Sequence, residues 1–298
     1  MEQSSAKASG VYHRISFFSD EFPFSIHREF DRPSDFNESK RFRREFWKIV
    51  YVIGGRGEEI VNETRYPVGP GTIFLVHPED STTFRIESEA LEIYNILFMP
   101  ELVRDGVCEL QDDFDFFSIM HWNGRKEKEE TGLYIAESDP EIRRIIRTLE
   151  REFDRMPQNY RARIRLLLLE LLILLARKAG KRLRNRGPGA VRQYVDHLIE
   201  SYFREEFKLG FLAERTGIDK SRLCRLYRAG AGMTIMDALR LRRLNEAAEQ
   251  LTCTNRTVSE ICFGSGFNDL SYFYRTFTAK FGMNPGEFRR RFVKEAEE

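Results

Sequence analysis

Cysteine is scarce in this chain: among 298 residues only Cys108, Cys224, Cys253 and Cys262 occur, and none forms a Cys-x-x-Cys pair. Three of them fall inside helical patterns, which predicts reduced thiols in a cytoplasmic protein and excludes a disulfide-stapled scaffold. The first ten residues (MEQSSAKASG) are polar, so no apolar signal region is expected. Long apolar runs are missing too. The stretch from Leu166 to Ala176 is far shorter than the roughly 20 residues a membrane span needs, and Glu170 interrupts it. No Ser-His-Asp set, Gly-rich phosphate loop or metal-ligand cluster stands in a context that would support its chemistry. These gaps predict a protein that is not an enzyme, holds no cofactor or metal and does not enter a membrane.

What is present describes a globular chain long enough for two domains, with 41% hydrophobic and 32% charged residues. The formal net charge of +1 conceals an asymmetry. Residues 181–298 carry 22 Lys and Arg against 15 Asp and Glu, whereas the preceding part carries 26 against 32. A basic half joined to an acidic half fits a nucleic-acid-binding domain beside a module of another kind. A solvated helical surface can also be basic, so the motifs must decide.

Residues 11–100 read as β structure. Short runs rich in Val, Ile, Tyr and Phe (Phe46–Ile53, Glu58–Val61, Tyr66–Val68, Thr72–His77, Leu91–Met99) are broken by Gly54-Gly55-Arg56-Gly57, Asn62–Thr64 and Gly69-Pro70-Gly71. Closely spaced strands with such turns predict an antiparallel barrel or sandwich. From Ser138 the period changes to that of a helix, with Pro140 in its first turn and Ile142, Ile145, Ile146, Leu149 and Phe153 as its apolar stripe. A second helix, about 160–178, is apolar around most of its circumference. It is either wholly buried in its own domain or packed on a second copy, which predicts a homodimer. A basic Gly/Pro-containing linker follows. The domain boundaries expected are 11–180, a linker at 181–189, and a helical domain at 190–298.

In that last domain, Leu209–Leu226 (LGFLAERTGIDKSRLCRL) fills each position of a helix-turn-helix. Ala213 is the small residue where the helices touch, Gly217 tolerates the turn, and Leu212, Ile218, Leu223 and Leu226 supply the apolar contacts. The pattern returns 49 residues on, with Ile261, Cys262, Gly266 and Phe267 in the equivalent places. Its inner residues, Phe273 and Phe277, come one position later, which predicts a slightly longer turn. Met236–Leu251 reads as one helix joining the two units.

Residues 191–292 resemble the DNA-binding domain of the AraC/XylS-type (arabinose-regulator) family. Arg243-Leu244-x-x-Ala247-x-x-x-Leu251 resembles its linker helix, and Ile261–Phe277 with Lys280–Pro285 and Phe288-Arg289 resembles its signature. Cys262 stands where Ala is usual and Ser265 where an apolar residue is usual. The β region (YPVGPGTIFLVHPEDS, then LEIYNILF) resembles the cupin-type sensor of the same family, nearest its rhamnose-regulator branch. The resemblance implies an α+β chain: a cupin-like barrel with a helical dimerisation segment, then an all-α domain with two helix-turn-helix units. It also implies a transcription activator of carbohydrate-use genes that binds double-stranded DNA and RNA polymerase. Two recognition helices would enter successive major grooves about 34 Å apart.

Inward Leu223 and Leu226 leave Lys220, Ser221, Arg222, Cys224 and Arg225 to face DNA in the first unit. Leu270, Ser271, Tyr274 and Arg275 do so in the second. Arg225 and Arg275 suit guanine or phosphate, and Leu270 suits a thymine methyl; the bland reading is that some of these arginines only solvate the helix. In the barrel, the His-x-His and Glu positions of metal-binding cupins hold Arg41, Arg43 and Lys48, and the later His position falls near Thr82 or Thr83, with His77 nearby. Three cations cannot bind a divalent metal. They predict instead a basic floor for a sugar acid or phosphorylated sugar, unless Arg41 and Arg43 point to solvent. Trp47 and Tyr51 would stack on a sugar ring or belong to the core. A β domain that meets a protein partner instead of a metabolite is the alternative.

Overall fold

The computed structural model describes residues 11–12, 17–19, 21–36, 42–62, 64–78, 80–104, 110, 113–121, 133–135, 139–183 and 188–294. The chain divides into two compact units, 1–183 and 184–298.

The first unit contains strands β1 (Val11–Tyr12), β2 (Phe24–Asp31), β3 (Arg43–Arg44), β4 (Trp47–Gly54), β5 (Gly57–Val61), β6 (Thr64–Val68), β7 (Ile73–Val76), β8 (Thr82–Ile86), β9 (Leu91–Phe98) and β10 (Leu133–Ile135). Five of them form a sheet in the order β10-β7-β4-β9-β2 and three form another, β6-β5-β8; each neighbouring pair in both is antiparallel. β1 and β3 pair in parallel. Gly55, at φ +89°, turns β4 into β5.

Side chains alternate along a strand, so both faces of the larger sheet can be read from the sequence of one strand. In β4, Trp47, Ile49 and Tyr51 join Ile73, Leu75, Ile96 and Phe98 in a core shared with helices. Val50 and Val52 turn the other way and pack with Phe74, Val76, Phe84, Ile86 and Ile93 between the two sheets. The helices of this unit are α1 (Glu101–Arg104), α2 (Phe114–His121), α3 (Pro140–Arg155) and α4 (Tyr160–Leu183). Asp139 caps α3 by accepting from the Glu141 and Ile142 amides, and the helix buries the expected Ile142, Ile145, Ile146 and Leu149; Phe153 is half-buried. α4 runs to Leu183, beyond the residue at which its apolar pattern ends. Ile164, Leu168, Leu171, Leu172, Leu175, Ala176 and Ala179 are its buried face, while Leu166 is 69% exposed.

The regular elements described in the second unit are all helices: α5 (Pro188–Tyr202), α6 (Leu209–Thr216), α7 (Lys220–Ala231), α8 (Ile235–Cys253), α9 (Val258–Gly264), α10 (Leu270–Phe281) and α11 (Pro285–Lys294). Side-chain caps start four of these helices: Asp219 for α7, Thr234 for α8, Thr257 with Glu260 for α9, and Asp269 for α10. Each such cap is worth about 1 kcal/mol. Gly217 (φ +63°) and Gly266 (φ +88°) make the turns of the two units. One residue separates Gly217 from its following cap, Asp219, and two separate Gly266 from Asp269, which is why the inner positions of the second unit come one residue later.

One inward assignment differs. Leu223 is buried, but its partner one turn on is Tyr227, and Leu226 is only half-buried. A spacing of four keeps both side chains on one helix face. The Tyr227 hydroxyl donates to Asp196 Oδ1 at 2.6 Å; burial first, then that bond, lifts the phenol far above its ordinary value. Ser265, in place of an apolar residue, is fully buried and satisfied by donating to the Ile261 carbonyl at 2.7 Å.

A Cβ at Gly266 would meet the Phe203 carbonyl oxygen at 2.5 Å, in addition to the left-handed φ. Gly266→Ala is therefore expected to destabilise the helical unit by about 1–3 kcal/mol. It should appear as a lower urea midpoint with an unchanged m-value; an unshifted midpoint would refute the close approach.

Candidate nucleic-acid interface and ligand pocket

α7 and α10 are the second helices of the two helix-turn-helix units, and burial of one stripe settles what each offers to solvent. In α7, Leu223 and Tyr227 point inward; Lys220, Ser221, Arg222 and Arg225 are exposed and Cys224 is half-buried. Arg228, which the motif does not single out, is exposed on the same helix. The backbone amide of Arg222 donates to the Asp219 cap at 2.9 Å. The guanidinium groups of Arg222 and Arg225 form no ion pair with a described residue, so their donors are available. In α10, Phe273 and Phe277 are buried, and Leu270, Ser271, Tyr274 and Arg275 are exposed. Arg275 lies over the Tyr272 ring at 5.5 Å, and the Tyr272 hydroxyl accepts from Arg240 of α8 at 3.2 Å. Arg275 is thus braced, while Arg225 is not.

A separate cavity opens between the two sheets of the first unit, with a volume of about 120 Å³. It is lined by Lys48 of β4, His27, Glu29 and Asp31 of β2, Asn95 and Leu97 of β9, Arg44 of β3, Thr82, Thr83 and Phe84 of β8, and Phe17, Phe36, Phe42 and Phe46. Strand alternation sends these polar groups inward: in FSIHREFD His27, Glu29 and Asp31 face the cavity and Phe24 and Ile26 face the helices. Asn95 donates to Glu29 Oε2 at 2.5 Å, and His27 Nε2 lies 3.1 Å from Glu29 Oε1. Arg44 donates to the Thr82 hydroxyl and to the Phe42 carbonyl at 3.4 Å. Among the described residues, Asn95 Oδ1 and Thr83 Oγ1 are buried without a hydrogen-bond partner. Leaving such an atom unsatisfied costs about 1–3 kcal/mol.

The expected basic floor is only partly there. Lys48 is in the cavity and forms no ion pair or hydrogen bond with a described residue. Burial lowers its pKa, against the attraction of Glu29. Arg43 is exposed, and its neighbour Arg44 is the buried one, because a two-residue strand can send only one of them inward. Arg41 lies outside the described residues. Trp47 and Tyr51 line the helix-facing core and do not reach the cavity. The Trp47 ring centroid is 4.1 Å from that of His77, and the Tyr51 hydroxyl accepts from Arg143 at 3.0 Å. Parity moves both to the face opposite Lys48. Glu29 and Asp31 line the cavity together with Lys48 and Arg44, so the cavity is mixed in sign. Among the described residues no three His, Cys, Asp or Glu gather where a metal could sit, and no helix is long and apolar enough to cross a membrane.

Residues 28–176 match the AraC-like ligand binding domain family, and residues 212–291 match a helix-turn-helix domain family. The chain is similar to the HTH-type transcriptional activator RhaR of Mannheimia succiniciproducens, 25% identical over 95% of this chain and 97% of that one. It is also similar to RhaR of Klebsiella pneumoniae, 28% identical over 83% and 86% of the two chains. Among solved structures it is similar to ToxT from Vibrio cholerae, at 13% identity, 89% and 97% coverage and a TM-score of 0.38.

Glu59, buried near Lys48, has its carboxyl pushed up to about 8 by burial, against the pull of Lys48 and Arg44. A raised folded-state pKa means that the folded chain holds a proton the unfolded chain releases. Its stabilising contribution is complete below the ordinary value of 4.5 and is lost as pH rises through about 8. Glu59→Gln should therefore gain stability relative to wild type from pH 5 to pH 8 in urea unfolding. A constant difference across that range would show that Glu59 is not held protonated.

Proposed function

The chain belongs to the AraC family of helix-turn-helix transcription regulators, with a ligand-binding and a DNA-binding domain, and on that premise we propose that it activates carbohydrate-use genes in response to a small neutral sugar. The observation that carries the reading is the pair of buried, unpartnered oxygens, Asn95 Oδ1 and Thr83 Oγ1, in a cavity that offers both donors and acceptors. Sugar hydroxyls donate and accept, so they suit such a lining, and the surrounding phenylalanines suit the apolar face of a pyranose. The balance of Lys48 and Arg44 against Glu29 and Asp31 favours a neutral sugar over a sugar acid. The homologues' printed role as activators and the family resemblance support activation and contact with RNA polymerase. The Leu-rich helix α4, with Leu166 turned to solvent, supports a homodimer.

DNA recognition is assigned to Lys220, Ser221, Arg222, Cys224 and Arg225 of α7, and to Leu270, Ser271, Tyr274 and Arg275 of α10. Arg225 is the best placed to read a base, since its unbraced fork of donors matches guanine O6 and N7. Arg225→Ala should weaken binding to the operator by about 1–3 kcal/mol and relax preference at one base pair. Equal weakening on every sequence would make it a phosphate contact.

A second reading has one observation in its favour. The cavity is about 120 Å³, smaller than the roughly 300 Å³ typical of ligand pockets, which suits a β domain that binds a protein partner. Thermal unfolding of the full chain against neutral monosaccharides, sugar acids and sugar phosphates separates the two. A ligand at 100 times its Kd adds about 2.7 kcal/mol. A shift with a neutral sugar that Asn95→Ala removes is the expected result. A shift with sugar acids alone would restore the basic-floor reading, and no shift at all would favour the protein partner.

A further inference from the structure

The outer flank of α3 carries an arrangement that helix stability opposes. Its buried stripe sets the rotation of the helix, and that rotation places Arg143, Arg147 and Arg151 at successive turns along one flank. Like charges four residues apart destabilise a helix. A run of local choices that works against its own element is expected at functional sites. Arg144 stands beside this row, and Arg28 reaches it from β2. Together with Tyr94, Pro140 and Glu150 these five arginines line an open cleft of about 620 Å³, within the range of small-molecule sites.

Carboxylates answer only part of this charge. Glu150 is the single acid in the lining, and its Oε2 accepts from the Tyr94 hydroxyl at 2.7 Å. Arg28 pairs with Glu92 and lies over the Tyr94 ring at 5.5 Å. Burial, then the bond to Glu150, pushes the Tyr94 phenol up to about 12, so the ring supporting Arg28 stays neutral. Arg144 is shared between Glu141 at 4.0 Å and Glu170 at 3.7 Å. Arg151 donates to the Thr148 hydroxyl at 3.2 Å. Arg147 has neither an ion pair nor a hydrogen bond with a described residue.

We propose that this cleft is a second ligand site, which binds a small organic phosphate, a phosphomonoester or a diphosphate. Planar guanidinium forks match phosphate oxygens two at a time, and here several converge on one concavity with a neutral aromatic floor. The site is distinct from the inter-sheet cavity, though it shares its strands. Alternation turns Arg28 and Tyr94 to the outer face and their neighbours Glu29 and Asn95 to the inner one.

The test is calorimetry on the full chain, without DNA and at physiological ionic strength, with pyrophosphate and glucose 6-phosphate as probes. Both should saturate one site per chain. Arg147→Gln with Arg151→Gln should weaken them about tenfold or more, while the variant melts no earlier than wild type, since it relieves repulsion along α3. Lys48→Met should leave phosphate binding intact. Absence of saturable binding, or wild-type affinity in the double variant, would overturn the proposal. So would loss of phosphate binding in Lys48→Met, which would place it in the inter-sheet cavity. DNA is the other source of the same chemistry. If the double variant lowers the salt slope of duplex binding by about 2 and neither small phosphate binds, the flank is a DNA-backbone contact and the proposal fails.

Discussion

Both faces of the five-stranded sheet are occupied, one by α3 and α4 and the other by the three-stranded sheet, and the rest of the first unit follows from this. A strand residue has two destinations, and its parity decides between them. Slipping any strand by one residue would exchange them all. In β4 it would send Trp47, Ile49 and Tyr51 between the sheets and press Lys48 into the helix layer. Burying a lysine there without a partner would be far costlier than losing an apolar contact. The same alternation collects Glu29, Asp31, Asn95 and Lys48 into one cavity and leaves Arg28 and Tyr94 back to back with them on the outside.

In the helical unit the corresponding element is α8, which joins the two helix-turn-helix units. Its Arg243 donates to the carbonyls of Phe203 at 2.6 Å and Glu205 at 2.8 Å, satisfying groups beyond the end of α5 that have no helical partner. Three residues on, Glu246 is buried and accepts from Arg204, Arg242 and Gln250. Burial alone would raise its carboxyl, and these bonds override it and hold it below the ordinary range. Leu244, Ala247 and Leu251 meanwhile pack on Ile261, Phe267, Phe273 and Phe277. Polar groups of α8 therefore hold α5 while its apolar ones hold α9 and α10. This ties α10 to α8.

The helix-turn-helix units were legible because their constraints are local. A glycine that must take positive φ, a cap two or three residues later and an apolar residue every third or fourth position all lie within about twenty residues of one another. Even so, choosing Leu226 over Tyr227 as the inner residue was a failure of hydropathy. A tyrosine is ranked as half-polar, and only Asp196, on another helix, explains how its hydroxyl can be buried. The inter-sheet cavity was far less legible. Arg43 and Arg44 are indistinguishable by composition, and the bridge from Phe42 to Thr82 of β8, where Arg44 donates to the Thr82 hydroxyl, marks which is inward. Glu29, Asp31, Asn95 and Thr83 carried one usable signal, polar residues at alternate positions in otherwise apolar strands. Nothing local says that three strands direct them to one place.

By itself the sequence determined the two-domain plan, the double helix-turn-helix and most of the residues of α7 and α10 that face solvent. Each of these depends on contacts within one helix or between consecutive ones, so spacing along the chain encodes them. The tertiary structure alone decided that Trp47 and Tyr51 belong to the helix-facing core and that Lys48 is opposed by two acids. It also decided that Arg28 joins the arginines of α3 across more than a hundred residues of chain. Those outcomes depend on which strands become neighbours. Pairing between distant strands is set by the burial of whole sheet faces, and no short stretch of sequence contains that information.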